Sequence, residues 1–392
     1  VSDDPTQPEA TDPLVIVGTG LAGYTLAKEL RKLDDDIPLT LITADGGESY
    51  SKPMLSNGFA KAKTAVELVM ADAPTMAEQL GARILTRARV SGIHPETRRL
   101  QLEGATSLPY HRLILALGAD PVRLPLEGDG AEQVLSVNDL EDYARFRYAL
   151  QGRRRIMILG AGLIGCEFAN DLLDAGFEVV VADLTDQPLG RLLPRESGAA
   201  LRKALTELGV DWHLGTGAER VDRLGEGYRI TLSNGEKLDA DVVLSAVGLR
   251  PRTQLAAEAG LAVNRGILAN RLLQTSDPHI YALGDCAEVS GLVLPYVMPL
   301  MHAARALAQT LSGKPTELRY PAMPVVVKTP AHPVVVAPPP NGTEGTWLVD
   351  VDQQGTRGRF LDAEGALLGF ALTGDRVAEK QAITKLLPPV LP

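Results

Sequence analysis

The stretch from Ile156 to Asp183 leaves the rest of the chain few folds to choose from. It runs Ile156-Met157-Ile158-Leu159, then Gly160-Ala161-Gly162-Leu163-Ile164-Gly165, then Cys166-Glu167-Phe168-Ala169, and closes on Val179-Val180-Val181-Ala182-Asp183. This reads as a buried strand, a Gly-x-Gly-x-x-Gly turn, a helix, and a second strand ending in an acid. The first glycine allows a tight turn, the second lets a pyrophosphate approach the backbone, and the third lets the helix pack close on the strand. A helix start of this kind presents free N–H groups to phosphates. Asp183 follows the last glycine by 18 residues, where a carboxylate can accept hydrogen bonds from a ribose 2′-OH. Gly160, Gly162, Leu163, Ile164, Gly165 and Asp183 are therefore expected to hold a dinucleotide.

A second copy lies 142 residues earlier. Leu14-Val15-Ile16-Val17 leads into Gly18-Thr19-Gly20-Leu21-Ala22-Gly23, and Tyr24 to Lys32 reads as a helix buried through Leu26, Ala27 and Leu30. Asp34-Asp35-Asp36 and Pro38 break it, and a strand from Leu39 to Thr43 ends at Ala44-Asp45. Each copy is followed by an apolar strand with a glycine turn and a proline: Leu113 to Gly118 and Pro121, then Val242 to Gly248 and Pro251. The repeat thus covers whole nucleotide units. The expected fold class is α/β, with two Rossmann-like domains over 13–120 plus 247–318 and over 121–246.

Composition narrows the partners. A net charge of −10 argues against a nucleic-acid binder, which neutralises phosphates with Lys and Arg. No apolar run approaches the roughly 18 residues of a membrane span. The polar, Pro-bearing residues 1–12 read as a flexible tail without an apolar leader segment. Cys166 and Cys286 lie 120 residues apart without a C-x-x-C pattern, so neither a metal site nor a disulfide scaffold is expected, and a reducing cytoplasm is the natural compartment. From Tyr320 onward short valine runs alternate with prolines and glycine turns. Residues 319–392 are read as a small α+β domain with a last helix over roughly 376–387.

The paired motifs, with Thr275-Ser276 and Ile280-Tyr281-Ala282-Leu283-Gly284-Asp285, resemble the two-dinucleotide-domain flavoprotein reductases. That resemblance implies FAD in the first unit and NAD(P)H in the second, with Gly284-Asp285 at the flavin ribityl and pyrophosphate region. The disulfide-reducing branch carries a cysteine pair beside the flavin; this chain has none. Tyr50-Ser51-Lys52-Pro53-Met54-Leu55-Ser56-Asn57 looks like the R-P-x-L-S-K stretch of ferredoxin reductases that serve oxygenases, with Lys52 for the Arg and Asn57 for the Lys beside the flavin. The fuller pattern, including Tyr296-Val297-Met298-Pro299 and Val327-Lys328-Thr329-Pro330, is similar to rubredoxin reductases of the pseudomonad type.

That family takes hydride from NADH on FAD and passes electrons singly to rubredoxin, in systems such as alkane degradation. A ferredoxin of an oxygenase, a quinone or O₂ are the competing acceptors. The resemblance implies Glu167, Lys328 and Lys52 as catalytic residues. It puts FAD against Gly18, Gly20, Leu21, Ala22, Gly23, Ala44, Asp45, Lys52, Pro53, Val90, Gly118, Gly284, Asp285, Lys328 and the helix start at Val297 and Met298. It adds Glu167 and Gly248 to the NADH contacts and implies a monomer. The residues themselves choose the coenzyme: Leu184, Thr185, Asp186 and Gln187 after Asp183 offer no cation to a 2′-phosphate, so NADH is expected.

Overall fold

The structure, a computed structural model, describes residues 12–392. Of the tail expected over 1–12, all but Asp12 lies outside the described residues. Leu14–Val17, with four buried apolar side chains in succession, is a strand covered on both faces, as parallel sheets require. It sits inside a five-stranded parallel sheet ordered 280–282, 112–115, 14–17, 39–42, 83–85. One face is covered by the helices Leu21–Arg31 and Val297–Leu311, through Leu26, Leu30, Ala304 and Leu307. The other face packs on a three-stranded antiparallel sheet that supplies Ile93, Leu100 and Leu102.

The second glycine unit repeats this plan. Its parallel strands run in the order 242–245, 155–159, 178–183, 211–214, matching the first sheet without its outer strand 280–282. It too carries a three-stranded antiparallel sheet, over 218–240. The two proline-bearing segments that leave and re-enter the first unit pair with each other. Ala119–Pro121 and Leu249–Pro251 form an antiparallel ribbon, pinned by Arg252 against Asp120 at 2.6 Å.

The carboxyl-terminal sheet is antiparallel, ordered 325–327, 334–337, 367–373, 355–361, 346–352. Its inner residues Val327, Val334, Val336 and Ala371 share one apolar core with Ile156, Phe168 and Leu172 of the second unit. A buried hydroxyl chain, Ser197 to Thr356 at 2.7 Å and on to Thr373 at 3.0 Å, ties the sheet to the helix Arg195–Leu208. The last helix is shorter than expected. Gly374–Glu379 is a 3-10 turn and only Lys380–Thr384 is α-helical. Glu379 is clasped there by Arg357 and Arg376, and Pro388 and Pro389 stop any continuation. Among the described residues no helix is long and apolar enough to cross a membrane.

Candidate functional site

Each glycine turn uses its outer glycines for its own construction. Gly18 and Gly160 adopt φ of +115° and +108°, in the left-handed half of the map that a side chain disfavours. A Cβ on Gly23 or Gly165 would overlap the carbonyl oxygen of Gly18 or Gly160. The middle glycines differ. Gly20 and Gly162 have ordinary φ of −63° and −73°, and nothing lies within 4 Å of a Cβ placed on either. The fold itself does not require glycine at these two positions; a group approaching from outside would. Both helices that follow, Leu21–Arg31 and Leu163–Asp174, start without a side-chain cap and without an acid in the first turn. Four backbone N–H groups and the positive end of the helix dipole are left for an anion. Two open cradles of this kind fit the pyrophosphates of two dinucleotides.

The acids at the second strands have local duties as well. Asp183 accepts from the Ala161 N–H (2.6 Å), the Thr185 N–H (2.7 Å) and the Thr185 hydroxyl (2.5 Å). Asp45 accepts from the Thr43 hydroxyl (2.6 Å) and the Gly47 N–H (2.9 Å). Each carboxylate thus fixes its own loop and, with about four acceptor positions, keeps room for a ribose hydroxyl. Arg87 and Ala88 N–H groups donate to the carbonyls of Asp45 and Thr43 at 2.9 Å, which brings the segment leading to Val90 to the same rim.

Gly284, at φ +80°, lets its turn abut the first helix: a Cβ there would lie 2.9 Å from the Ala22 Cβ. Asp285 then faces Lys52 at 3.9 Å. Burial pushes the Asp285 carboxyl up and the Lys52 ammonium down, each partly offset by the other's charge. Val297 and Met298 open their helix half-exposed and uncapped. Gly118 and Gly248 border the ribbon, each open above its Cα.

Glu167 is fully buried and holds together three separate parts of the chain. Its Oε1 accepts from the Lys328 backbone N–H at 3.0 Å, and its Oε2 from the Lys328 ammonium at 2.6 Å and the Ser56 hydroxyl at 2.5 Å. The ammonium also donates to the Pro53 carbonyl (2.6 Å) and to Ser56 Oγ (3.1 Å). All three of its protons are spent on protein acceptors, so Lys328 offers a neighbouring group its charge rather than a hydrogen bond. One turn on, Asp171 accepts from the N–H groups of Phe59 and Ala60, and Asn170 from that of Ala331. The helix Leu163–Asp174 is therefore a spine to which the 52–60 loop and the 328–331 loop are both fastened.

Asn57, at the position of the expected cation, bonds Ser56 at 3.2 Å, and the cation arrives from Lys328 instead. Asn170 and Asp171 carried no sequence signal, and Ser56 appeared only as part of the 50–57 resemblance, without a role. Both thiols are free and buried in different cores, and burial pushes them up, Cys286 to about 11. No dithiol stands beside the spine.

Comparison with known proteins gives consistent matches. The profile of the family described as pyridine nucleotide-disulphide oxidoreductase fits residues 12–309, and that of a rubredoxin binding C-terminal domain fits residues 317–387. The chain is 52% identical to a rubredoxin-NAD(+) reductase of Alcanivorax borkumensis, over 97% of this chain and 100% of that one. It is 47% identical to a protein of the same name from Acinetobacter baylyi, over 97% and 99%. The crystal structure of the ferredoxin reductase for the CYP199A2 system of Rhodopseudomonas palustris superposes with a TM-score of 0.87 at 25% identity, covering 96% of this chain and 95% of that one.

Proposed function

Because this chain belongs to the pyridine nucleotide-disulphide oxidoreductase family, we propose that it passes electrons from NADH through FAD to rubredoxin. The observation that carries the reading is the pair of uncapped helix starts behind Gly20 and Gly162, glycines with open space above them where a ligand can approach. The acceptor is supported by the rubredoxin-binding profile over 317–387 and by the separation of the two thiols, which leaves no dithiol outlet. Two free buried thiols also suit a reducing cytoplasm, and we read the working unit as a monomer.

In this reading 13–120 with 247–318 binds FAD, 121–246 binds NADH, and 319–392 meets the acceptor. Bound FAD supplies two-electron acceptance and one-electron release. The protein binds, orients and charges the site. The Gly18–Gly23 loop and its helix take one pyrophosphate, Asp45 one ribose, and Lys52 with Asp285 the rim of the flavin site. The N–H groups at Val297 and Met298, with the helix dipole, favour negative charge on the ring edge. Gly160 to Gly165 take the NADH pyrophosphate and Asp183 its ribose. Glu167 keeps the Lys328 charge fixed where the units meet and fastens the 52–60 loop through Ser56.

The deciding experiment mixes anaerobic, NADH-reduced protein with rubredoxin, a [2Fe–2S] ferredoxin, a quinone or O₂ and follows flavin reoxidation. Rubredoxin is expected to be fastest; a rate no greater than that with O₂ would sink the reading. The coenzyme choice is tested separately. Without a cation after Asp183, kcat/KM for NADH should exceed that for NADPH by about a hundredfold, the worth of about 3 kcal/mol. Asp183→Ala should cut that ratio at least about tenfold. Comparable values for the two coenzymes in the unaltered protein would refute the ribose role.

A further inference from the structure

The carboxyl-terminal unit holds a groove of about 500 Å³ between the segment 321–324 and the last helix. Pro321, Pro324 and Leu387 give it apolar walls, and Lys380 and Lys385 stand at its edge with Thr384 between them. No carboxylate lines it. Among the described residues neither lysine has an ion pair or a side-chain hydrogen bond. On a chain of net charge −10, an acid-free groove with two unspent ammonium groups offers an acidic protein a place to settle.

The groove also leads to the site. Pro324 is followed directly by the edge strand Val325–Val327, and that strand by Lys328. Alternate residues of a strand share a side, so Pro324, Val326 and Lys328 form one line from the groove to the Glu167 carboxylate. Val326, midway, is 48% exposed. At roughly 3.3 Å per residue the four steps span about 13 Å. A protein seated in the groove would rest one strand-length from the buried ion pair.

We propose that the groove bounded by 321–324 and Lys380–Thr384 is the docking face for a small acidic iron–sulfur carrier, with Lys380 and Lys385 as its charge contacts and Val326 as its apolar contact toward the site. The proposal rests on the rubredoxin reading above. It commits to the carrier rather than to a second copy of this chain, because a copy with net charge −10 would bring an identical lysine pair to the same contact if it bound symmetrically.

The test uses flavin-loaded protein carrying K380E and K385E together. Reoxidation of the NADH-reduced variant by rubredoxin at low salt should slow by about tenfold or more, and its salt dependence should flatten or reverse. Reduction by NADH and reoxidation by ferricyanide should match the unaltered protein, which shows that the fold and the flavin are intact. An unchanged rubredoxin rate and salt slope would overturn the groove alone. A variant that instead dissolves a dimer of the unaltered protein, with no change in rubredoxin rate, would assign the groove to a second copy and overturn it too. If the unaltered protein fails to reduce rubredoxin at all, the functional reading falls first and the groove with it.

Discussion

Gly162→Ala is expected to fold, with a stability loss of about 1 kcal/mol, and to lose most of its affinity for NADH. The space above Gly162 is empty of protein to 4 Å and its φ of −73° suits any residue, so the fold has no reason to reject a methyl group. Alanine is a poorer helix N-cap than glycine, a loss of about 1 kcal/mol that the unit can absorb. A methyl group there stands where the pyrophosphate must approach the helix N–H groups. Losing about 2–3 kcal/mol of charge-assisted hydrogen bonding would raise KM for NADH about thirty- to a hundredfold. Flavin content should stay full, because the first unit is untouched. Gly20→Ala should give the complementary result, a folded chain with little bound flavin. Gly165→Ala supplies the contrast: its Cβ would overlap the Gly160 carbonyl oxygen, so the second unit itself should be disrupted and the melting temperature should fall. An unchanged KM in Gly162→Ala, with flavin retained, would show that the open space is not a coenzyme cradle.

That contrast among glycines also shows what kind of information the sequence carries. The strand–turn–helix units were readable because their determinants are local: apolar runs, glycines at fixed spacing, and a terminal acid. Even there the first helix begins at Leu21 rather than Tyr24, since Gly20, not a side chain, forms its cap. The antiparallel ribbon of Ala119–Pro121 with Leu249–Pro251 joins segments about 130 residues apart, and no local pattern announces such a pairing. The spine contacts are equally remote. Ser56 reaches Glu167 across 111 residues, Phe59 reaches Asp171 across 112, and Ala331 reaches Asn170 across 161. Asn57 shows the consequence most clearly. Along the sequence it marks a missing positive charge, whereas in space Lys328 restores a charge to that neighbourhood from a different part of the chain. Asp183 likewise looked like a ribose ligand alone, because its bond to the Ala161 N–H depends on how the turn closes.

The Glu167–Lys328 pair should behave as one unit in a double-mutant cycle. Glu167→Ala removes a fully buried carboxylate that accepts three hydrogen bonds, leaving the Lys328 ammonium, the Ser56 hydroxyl and a backbone N–H without their partner. Breaking a buried pair from one side costs about 3 kcal/mol, and in a chain of 392 residues that is a fall of about 4 °C in melting temperature. The kinetic effect should be larger on flavin reduction than on NADH binding, because the carboxylate orders the 52–60 and 328–331 loops and leaves the glycine cradle intact. Lys328→Met should cost less by itself, since the side chain is one-third exposed and Met can cover the same apolar surface. It would still leave Glu167 a buried charge with only Ser56 and one N–H as donors. With both replaced, no uncompensated charge remains, so the double variant should be more stable than the sum of the single losses predicts by about 1–3 kcal/mol. Flavin reduction in it should nevertheless stay slow, because the fixed positive charge is gone. That split, with stability recovered and rate lost, distinguishes a catalytic pair from a structural one. Losses that add to within about 0.5 kcal/mol would show that the two side chains do not act together.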